Sequence, residues 1–388
     1  MIIVHLFFFL IIFLMLHTYL LYPLSIYIIG LVKKEKNAYK FMEIKGISIL
    51  IAAYNEEKVI RGRVENLAHL IKRFPEMEVL IGSDNSSDRT NKILIEMSEK
   101  YKWLKFHLYN ERSGKAGILN NLSKLTANPI IVFTDANTIF HADAIESLVS
   151  GFQNEKVGGV CGRLVLKDNL VGKNESVEES RYWKFETLIK ILEGKLGFLI
   201  GANGGIFAIR KELFEMIPLN RAVTDDLFLT LSVIKKGYKF IYNYDAVAYE
   251  DVGQDISTEY KRKVRFSSTN YQTISFFKDF LTFRPFLVSY AFWSHKILRW
   301  FFPFFAIILL VLSLLLSGEN VFFCYVLIGQ FIFYFSALIG YCFSKLKIKI
   351  SIFSLPYFFT MANTALLIGF IRFLKNKHSV IWESTTRD

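Results

Sequence analysis

The stretch Phe133 to Thr138 constrains this chain most, because it carries a buried strand directly into a polar loop. Residues 129–133 are apolar and largely β-branched, which predicts a parallel strand. Asp135 and Asn137 follow, two positions apart and so on one side of the chain. In open α/β sheets ligands bind where strands end. Both side chains offer the oxygen ligands that Mg²⁺ or Mn²⁺ prefer when such ions hold a diphosphate. A metal site is therefore predicted, with a polar loop that caps the next helix as the alternative.

Composition points to a membrane protein. The chain has 388 residues, of which 52% are hydrophobic, a high fraction for a soluble protein. The apolar residues concentrate at the two ends, so the excess indicates membrane segments rather than a larger core. The net charge of +12 fits nucleic acid, anionic lipid or an anionic substrate. Much of it lies beside apolar segments, which favours lipid. Three scattered cysteines indicate neither a disulfide framework nor a zinc site.

Residues 1–32 form the predicted N-terminal anchor. Ile2–Val32 is almost wholly apolar and long enough for one tilted span but short for two. A signal peptide is the weaker alternative, since no basic segment precedes the run and no small-residue cleavage site follows. Several lysines come next, and by the positive-inside rule they place the following domain in the cytoplasm. These lysines are Lys33, Lys34, Lys36, Lys40 and Lys45.

Residues 44–280 are predicted to form one α/β domain. Apolar strand-like runs alternate with amphipathic helices, which predicts a mostly parallel, doubly wound sheet. Three of these runs end in acidic or amide-rich loops, at residues 54–57, 83–90 and 135–137, so the site is expected at the carboxyl edge of the sheet. Further on, Thr224 is a plausible N-cap for a helix whose first turn carries two acidic residues.

The C-terminal part is membrane-like again. Residues 284–299 are aromatic and mildly basic, as expected of an interface helix. Residues 300–373 form a transmembrane or re-entrant region, in which 300–317 and 321–343 read as spans. The stretch 350–370 has basic flanks and contains Pro356 and Asn363, and a full span there would put the basic tail 374–388 outside. We expect a re-entrant or interface-lying hairpin with a cytoplasmic tail.

Five motifs in register resemble the family 2 glycosyltransferases, the inverting class that includes cellulose, hyaluronan and poly-N-acetylglucosamine synthases. They are Ile51 to Glu56, Ser83 to Asp88, Ser113 to Asn120, Asp135-Ala136-Asn137 and Thr224-Asp225-Asp226. The resemblance runs roughly from Lys45 to Thr386. It implies a GT-A fold, which is a Rossmann-like, mostly parallel α/β sheet, between membrane helices. It also implies transfer of a sugar from a nucleotide-sugar with the help of Mg²⁺ or Mn²⁺.

The resemblance assigns donor-side roles. Tyr54, Glu56 and Asp84 are expected to hold the base and ribose, with a UDP-sugar as the expected donor. Lys115 would add a positive charge at the diphosphate, and Asp135 and Asn137 would hold the metal ion. The chemistry agrees, because a leaving diphosphate needs its charge neutralised. The competing interpretations are a helix cap for residues 54–56 and an exposed surface lysine for Lys115.

On the acceptor side the expected general base is Asp226, with stabilisation of the helix dipole as the alternative. Two features depart from the family pattern. Asn137 stands where many members have Asp, and Phe266 stands where processive synthases have Trp. Phe266 is a poorer stacking platform, so processive synthesis is in doubt. The remaining expected acceptor-binding residues are Asn203, Gly204, Asp225, Arg262, Arg265 and Phe266.

The sequence thus predicts an integral membrane protein of a bacterial-type inner or plasma membrane, with its catalytic domain in the cytoplasm. It would transfer a sugar to a polysaccharide, glycolipid or lipid-carrier acceptor. Alternatives are single-sugar transfer to a lipid carrier and a catalytically silent subunit of an assembly complex, although Asp135 and Asp226 are both present. A transporter is disfavoured because the spans carry no mid-span charged pair. Nucleic acid is not expected, since the basic helix at 261–265 lacks interleaved aromatic platforms.

Overall fold

The computed structural model describes residues 2–32, 46–167, 177–251, 256–282, 284–346, 348 and 350–376. The lysines at 33–45 and the tail beyond 376, on which the predicted orientation partly rests, lie outside the described residues. The α-helices are α1 Ile2–Leu16, α2 Tyr22–Val32, α3 Ile60–Ile71, α4 Thr90–Lys100, α5 Gly114–Leu125, α6 Ala144–Ser150, α7 Val177–Leu196, α8 Asp225–Lys235, α9 Ile256–Ile274, α10 Phe286–Ala291, α11 Leu298–Trp300, α12 Phe302–Leu316, α13 Val321–Lys345 and α14 Ser351–Leu374. The strands are β1 Ile47–Ala53, β2 Met77–Asp84, β3 Leu104–Tyr109, β4 Ile130–Asp135, β5 Thr138–Phe140, β6 Val157–Lys167, β7 Phe207–Arg210 and β8 Lys239–Asp251.

Eight strands form one sheet in the order β3-β2-β1-β4-β7-β6-β8-β5. Strands β1 to β4 pair in parallel, whereas β7 runs antiparallel to both β4 and β6. The predicted α/β fold is confirmed, with a sheet that is mixed in its second half. Strands β5 and β8 were not predicted. β8 carries polar residues such as Asn243 and Asp245 in place of an apolar run, and it becomes a strand through pairing with β5 and β6.

The parallel half of the sheet aligns the polar loops at one edge. β1 is buried along its whole length, with apolar side chains packed into a core on each face of the sheet. In its register Ala52 lies opposite Asp135 on β4, and Ala53 lies opposite Ser83 on β2. Because parallel strands end at the same edge, the loops after β1, β2 and β4 converge there.

Within the part of the chain that the structure describes, three helices are long and apolar enough to cross a membrane, namely residues 2–32, 321–345 and 351–374, and a bent pair of 286–300 with 302–316 would make a fourth. The first of these joins α1 and α2 through a π-helical turn at His17–Leu21. α12 packs along α1, with Phe8 and Ile11 against Leu309, Leu312 and Leu316. Just beyond α12, His5 Nε2 reaches Glu319 at 3.0 Å, and the Phe8 ring lies 5.0 Å from Phe323 at the start of α13. α12 therefore ends beside the start of α1.

α14 is a single continuous helix that runs through Pro356 and Asn363, so the predicted hairpin is wrong. Its partners include the helices of the sheet domain. Ser267 Oγ of α9 donates to the Leu366 carbonyl at 3.1 Å, and the Phe358 ring lies 6.3 Å from Tyr182 of α7. Phe359 and Phe370, eleven positions apart, both make edge-to-face contacts with the first residues of α12. α14 therefore extends along the boundary between the sheet domain and the apolar helices.

The segment 284–299, predicted as an interface helix, is buried against the sheet domain in its second half. Residues 286–300 continue helically through a π-helical turn, and two basic side chains in it point inward to acids of α7. His295 contacts Glu193 through Nδ1 at 2.7 Å and Glu186 through Nε2 at 3.0 Å, and Arg299 donates to Glu186 at 2.5 Å. Tyr22 of α2 donates to Glu193 at 2.6 Å. We call these five side chains the sealed cluster.

Candidate active site

A lysine and two aspartates from three different elements meet at the carboxyl edge of the sheet. Lys115, in the first turn of α5, contacts Asp135 at the end of β4 at 2.8 Å and Asp225 at the start of α8 at 2.9 Å. The three side chains remain a fifth to a third exposed. We call them the open cluster. Sequence analysis placed all three at the site, and the structure brings them into direct contact.

The charge on Lys115 is held firmly. Burial alone would lower the pKa of this ammonium group, but the carboxylates of Asp135 and Asp225 outweigh it, and the pKa is raised above its ordinary value. Lys115 therefore stays protonated at physiological pH. An ammonium group at this place can pair with an incoming phosphate as well as with the two acids.

Asp226 lies across a small gap from the open cluster. Its Oδ1 accepts the Leu227 backbone N–H at 2.6 Å. A Cβ added to Gly204 would stand 3.2 Å from Asp226 Oδ2 and 3.9 Å from Asp135 Oδ2. Gly204 therefore lies between the two carboxylates, and its missing side chain keeps the space between them open.

The environment of Asp226 suits proton transfer. Burial and the neighbouring Asp225 carboxylate raise its pKa to about 6, while Lys115 and Lys190 act in the opposite direction. A carboxylate with a pKa near the working pH can accept a proton and release it again. Thr224 is the N-cap of α8, as predicted, but its hydroxyl makes no capping bond within α8 and donates instead to Asn270 of α9 at 2.9 Å.

The loop after β2 sets the position of Lys115. Asp84 is fully buried and accepts from the Ser113 N–H at 2.7 Å, the Gly114 N–H at 3.1 Å and Arg112 Nε at 3.0 Å. This carboxylate thus satisfies amides at the N-terminus of α5. We expected Asp84 to contact the nucleotide. The hydrogen bonds that the structure gives it instead fix the N-terminus of α5.

The loop after β1 holds the other expected donor residues. The Arg112 guanidinium lies 3.3 Å from the centre of the Tyr54 ring, so this cation covers one face of the predicted base platform. The Glu56 N–H donates to Thr90 Oγ1 at 2.8 Å, and its carbonyl accepts the first amides of α3. The predicted cap at 54–56 and the predicted site thus occupy the same loop.

The predicted metal ligands have suitable chemistry. Asn137 Nδ2 donates to Glu250 Oε1 at 3.0 Å, so the amide oxygen is the atom of this side chain that is left to bind a cation. Among the described residues no three His, Cys, Asp or Glu side chains are grouped to hold an ion. Two protein oxygens nevertheless fit Mg²⁺ or Mn²⁺, because such ions are usually held by one or two side chains and the phosphates of the substrate.

Asn203 has a different position from the one expected. It is 7% exposed, its Nδ2 donates to the Gly162 carbonyl at 2.7 Å, and its Oδ1 accepts from Lys190 Nζ at 2.6 Å. Both ends of the amide are therefore used within the protein. Asn203 supports the Gly204 backbone, and the acceptor contact that we predicted for its side chain is not what this geometry favours.

The expected acceptor residues of α9 lie on one stretch of that helix. Arg262 and Arg265 stand 6.0 and 5.3 Å from the Phe266 ring, which is 41% exposed. One turn further along, Thr269 contacts the Thr224 hydroxyl at 2.8 Å. The helix that carries Phe266 is therefore joined to the residue just before Asp225 and Asp226.

Sequence reasoning missed several supporting residues. Arg63 is fully buried, donates to Thr134 at 3.0 Å and lies 4.2 Å over the Phe140 ring; burial lowers its pKa to about 9. Its spacing from Ile60 and Leu67 puts it on the apolar face of α3, so helical periodicity could have found it. Glu250 and Lys190 gave no such signal, since their partners are distant in sequence.

The sheet domain is similar to known proteins in sequence and in fold. Residues 48–217 match the family described as Glycosyl transferase family 2. This match places a family 2 glycosyltransferase domain at residues 48–217. The mannosyltransferase PcManGT from Pyrobaculum calidifontis, solved with GDP-Man and Mn²⁺, is 19% identical with a TM-score of 0.69, over 95% of this chain and 99% of that one. The GT-A fold is thus shared over nearly the whole chain, apolar helices included.

Two further proteins are similar to this chain in sequence. The beta-monoglucosyldiacylglycerol synthase of Nostoc sp. is 34% identical over 261 residues, 64% of this chain and 54% of that protein. The poly-beta-1,6-N-acetyl-D-glucosamine synthase of Staphylococcus epidermidis is 25% identical over 237 residues, 60% of this chain and 56% of that protein. This chain therefore matches a little over half the length of either relative.

Proposed function

We propose that this protein is a membrane-bound, inverting glycosyltransferase that moves a sugar from a nucleoside diphosphate sugar, with UDP as the expected nucleotide, to a glycolipid, lipid-carrier or polysaccharide acceptor. The observation that carries the proposal is the gap at Gly204. It separates a carboxylate suited to act as a base, Asp226, from a lysine and two acids suited to a diphosphate.

The chemistry of this arrangement is a single displacement. The acceptor hydroxyl oxygen attacks the anomeric carbon, its proton passes to Asp226, and the bond to the diphosphate oxygen breaks. Lys115 remains charged and faces the departing diphosphate. Asp135 and the Asn137 amide oxygen would hold a divalent cation, which when bound neutralises negative charge on the leaving group.

A membrane lipid is the acceptor that we favour, with a single transfer as the outcome. The exposed ring on α9 is Phe266, and the arginines beside it leave a mixed aromatic and basic surface in place of a Trp platform. α9 is bonded to α14, which extends along the boundary with the apolar helices. The name of the Nostoc relative, a glucosyldiacylglycerol synthase, supports a lipid acceptor in this chain as well.

The test is a donor screen. Purified full-length protein in detergent, with Mn²⁺ and diacylglycerol, is offered UDP-, GDP- and dTDP-sugars, and release of free nucleotide is measured. Gly204→Ala should lose most turnover because its Cβ enters the gap, whereas Gly62→Ala, on open helix surface, should not. EDTA should abolish turnover and Mn²⁺ should restore it. Turnover that is equal in both variants, or full activity in EDTA, would contradict the proposal.

We further propose that the sheet domain faces the cytoplasm of a bacterial-type cell. With an external N-terminus, residues 2–32, the α12 half of the bent pair and α13 cross in turn, and α14 lies along the inner surface. This order returns the basic tail to the cytoplasm, in line with the positive-inside rule. Protease added to sealed cells should leave the sheet domain intact, and a reporter fused after Asp388 should be internal; an external reporter contradicts the order.

A further inference from the structure

Asn137 and Glu250 meet across the β5–β8 strand pair, which was not predicted from the sequence. β5 runs antiparallel to β8 with Thr138 opposite Glu250, and this register brings the Asn137 side chain to the carboxylate. Asn137 Nδ2 donates to Glu250 Oε1 at 3.0 Å, over a sequence separation of 113 residues. Glu250 therefore touches the residue that departs from the family pattern.

The chemistry of this bond decides which way the amide points. An ionised carboxylate only accepts hydrogen bonds, so the group of Asn137 that faces Glu250 must be its NH₂. The amide oxygen then lies on the opposite side of the planar group. An amide without such a partner can rotate and present NH₂ to a cation, which would repel it. An aspartate at position 137 would have no need of orientation, since both of its oxygens are equivalent.

We propose that Glu250 is a positioning residue that holds the Asn137 amide with its oxygen toward the divalent cation. The proposal rests on the proposed function and adds to it the orientation of one metal ligand, Asn137. Partners of metal ligands commonly contribute 10- to 100-fold to metal affinity, on the order of the effect expected here. Glu250 would act through Asn137, so its contribution should depend on the amide being present.

The experiment is a double-mutant cycle on Mn²⁺ affinity, followed by electron paramagnetic resonance of free Mn²⁺ with the full chain in detergent. Glu250→Ala should weaken binding by about 10- to 100-fold. Glu250→Gln should weaken it less, because its side-chain oxygen still accepts from the amide. In the Asn137→Ala background, Glu250→Ala should have only a small further effect. Asp245→Ala, which removes an exposed acid of the same strand, is the matched control and should bind normally.

An equal loss from Glu250→Ala in both backgrounds would show a direct ligand or a long-range charge and overturn the proposal. No loss in the native background, or no Mn²⁺ binding at all, would overturn it too. Melting temperatures recorded for each variant identify any that fail to fold. Turnover of the native protein, measured separately, distinguishes the outcomes: a transferase without coupling between Asn137 and Glu250 refutes only this inference.

Discussion

The open cluster and the sealed cluster use the same chemistry in opposite surroundings. In the open cluster Lys115 contacts two acids at 2.8 and 2.9 Å, with its side chain a quarter exposed. In the sealed cluster His295 contacts two acids at 2.7 and 3.0 Å, with its side chain fully buried. The distances are alike, so the difference between the clusters is their access to water and to ligands.

This difference indicates separate tasks. Exposed ion pairs can exchange partners at little cost, which a site must do when a charged substrate enters. Buried charges cannot lose a partner without a large penalty. The sealed cluster joins α2, α7 and the segment 286–300 through Tyr22, Glu193 and His295. We infer that it fixes the apolar helices to the sheet domain, while the open cluster binds and releases.

The largest effect expected is on the base beside the open cluster. Asp226→Asn should fold and still bind nucleotide, yet lose transfer by roughly 10²–10⁴-fold, as is typical of a missing general base. Asp225→Asn should lose less, because Asp225 contacts Lys115 and Asp226 faces the gap at Gly204. Nucleotide affinity and turnover are measured side by side for both variants. Greater damage in Asp225→Asn would move the base to that residue.

The second expected effect is on stability and belongs to the sealed cluster. Glu186→Gln should cost about 3–5 kcal/mol, because the buried Arg299 guanidinium loses its carboxylate partner and His295 loses one of its two. The melting temperature in detergent should fall by about 4–6 °C for a chain of this length. Asp135→Asn, the matched change in the open cluster, should cost less than about 1 kcal/mol. Similar losses in both variants would erase the distinction between the clusters.

Sequence alone predicted the strand-to-loop edges well, because β1, β2 and β4 are apolar runs with sharp polar ends. Asp135 follows from those edges, whereas Lys115 and Asp226 lie at the starts of α5 and α8 and were found through the family motifs that contain them. Glu250 and Lys190 could not be predicted, since each acts on a residue brought near by strand pairing or by helix packing. The segment 284–299 was interpreted from its basic residues as facing lipid. The acids that turn them inward lie on α7, about a hundred positions earlier, and no local pattern reveals them.

A smaller effect is expected when the pH is changed, because the transfer rate and the stability of the fold should depend on pH in different ways. The transfer rate should fall about tenfold per pH unit below pH 6, because Asp226 must be ionised to accept a proton and its pKa is about 6. Lys190→Met should move this limb to higher pH, and Asp225→Asn to lower pH, since each removes a charge that acts on the pKa of Asp226. Rate profiles of the three proteins check this; identical limbs would exclude Asp226 as the titrating group.

The melting temperature should not depend on pH in the way that the transfer rate does. Burial alone would raise the pKa of Glu186, but His295, Lys296 and Arg299 outweigh it and hold this pKa well below its ordinary value. A depressed carboxyl pKa gives stability that is complete above the unfolded value and is lost as the pH falls below it. The contribution of Glu186 should thus stay constant between pH 5 and 8, where the rate changes. A melting temperature that falls with the rate between pH 7 and 5 would show that one titration governs both.

The smallest effect is expected at Arg73. Its contact distances resemble those in both clusters, but its ion pairs are more exposed to solvent than those of either cluster. It contacts Asp143 at 2.7 Å and Glu146 at 3.1 Å, and its side chain is 43% exposed beside acids that are 56% and 65% exposed. Water screens such pairs and ordering the side chains offsets the gain, so Arg73→Ala should leave melting temperature and turnover within experimental error. The measurement is made beside Glu186→Gln in the same detergent. If Arg73→Ala lowered the melting temperature as much, contact distance would decide the energy of these pairs, and the contrast between open and sealed charges would not hold.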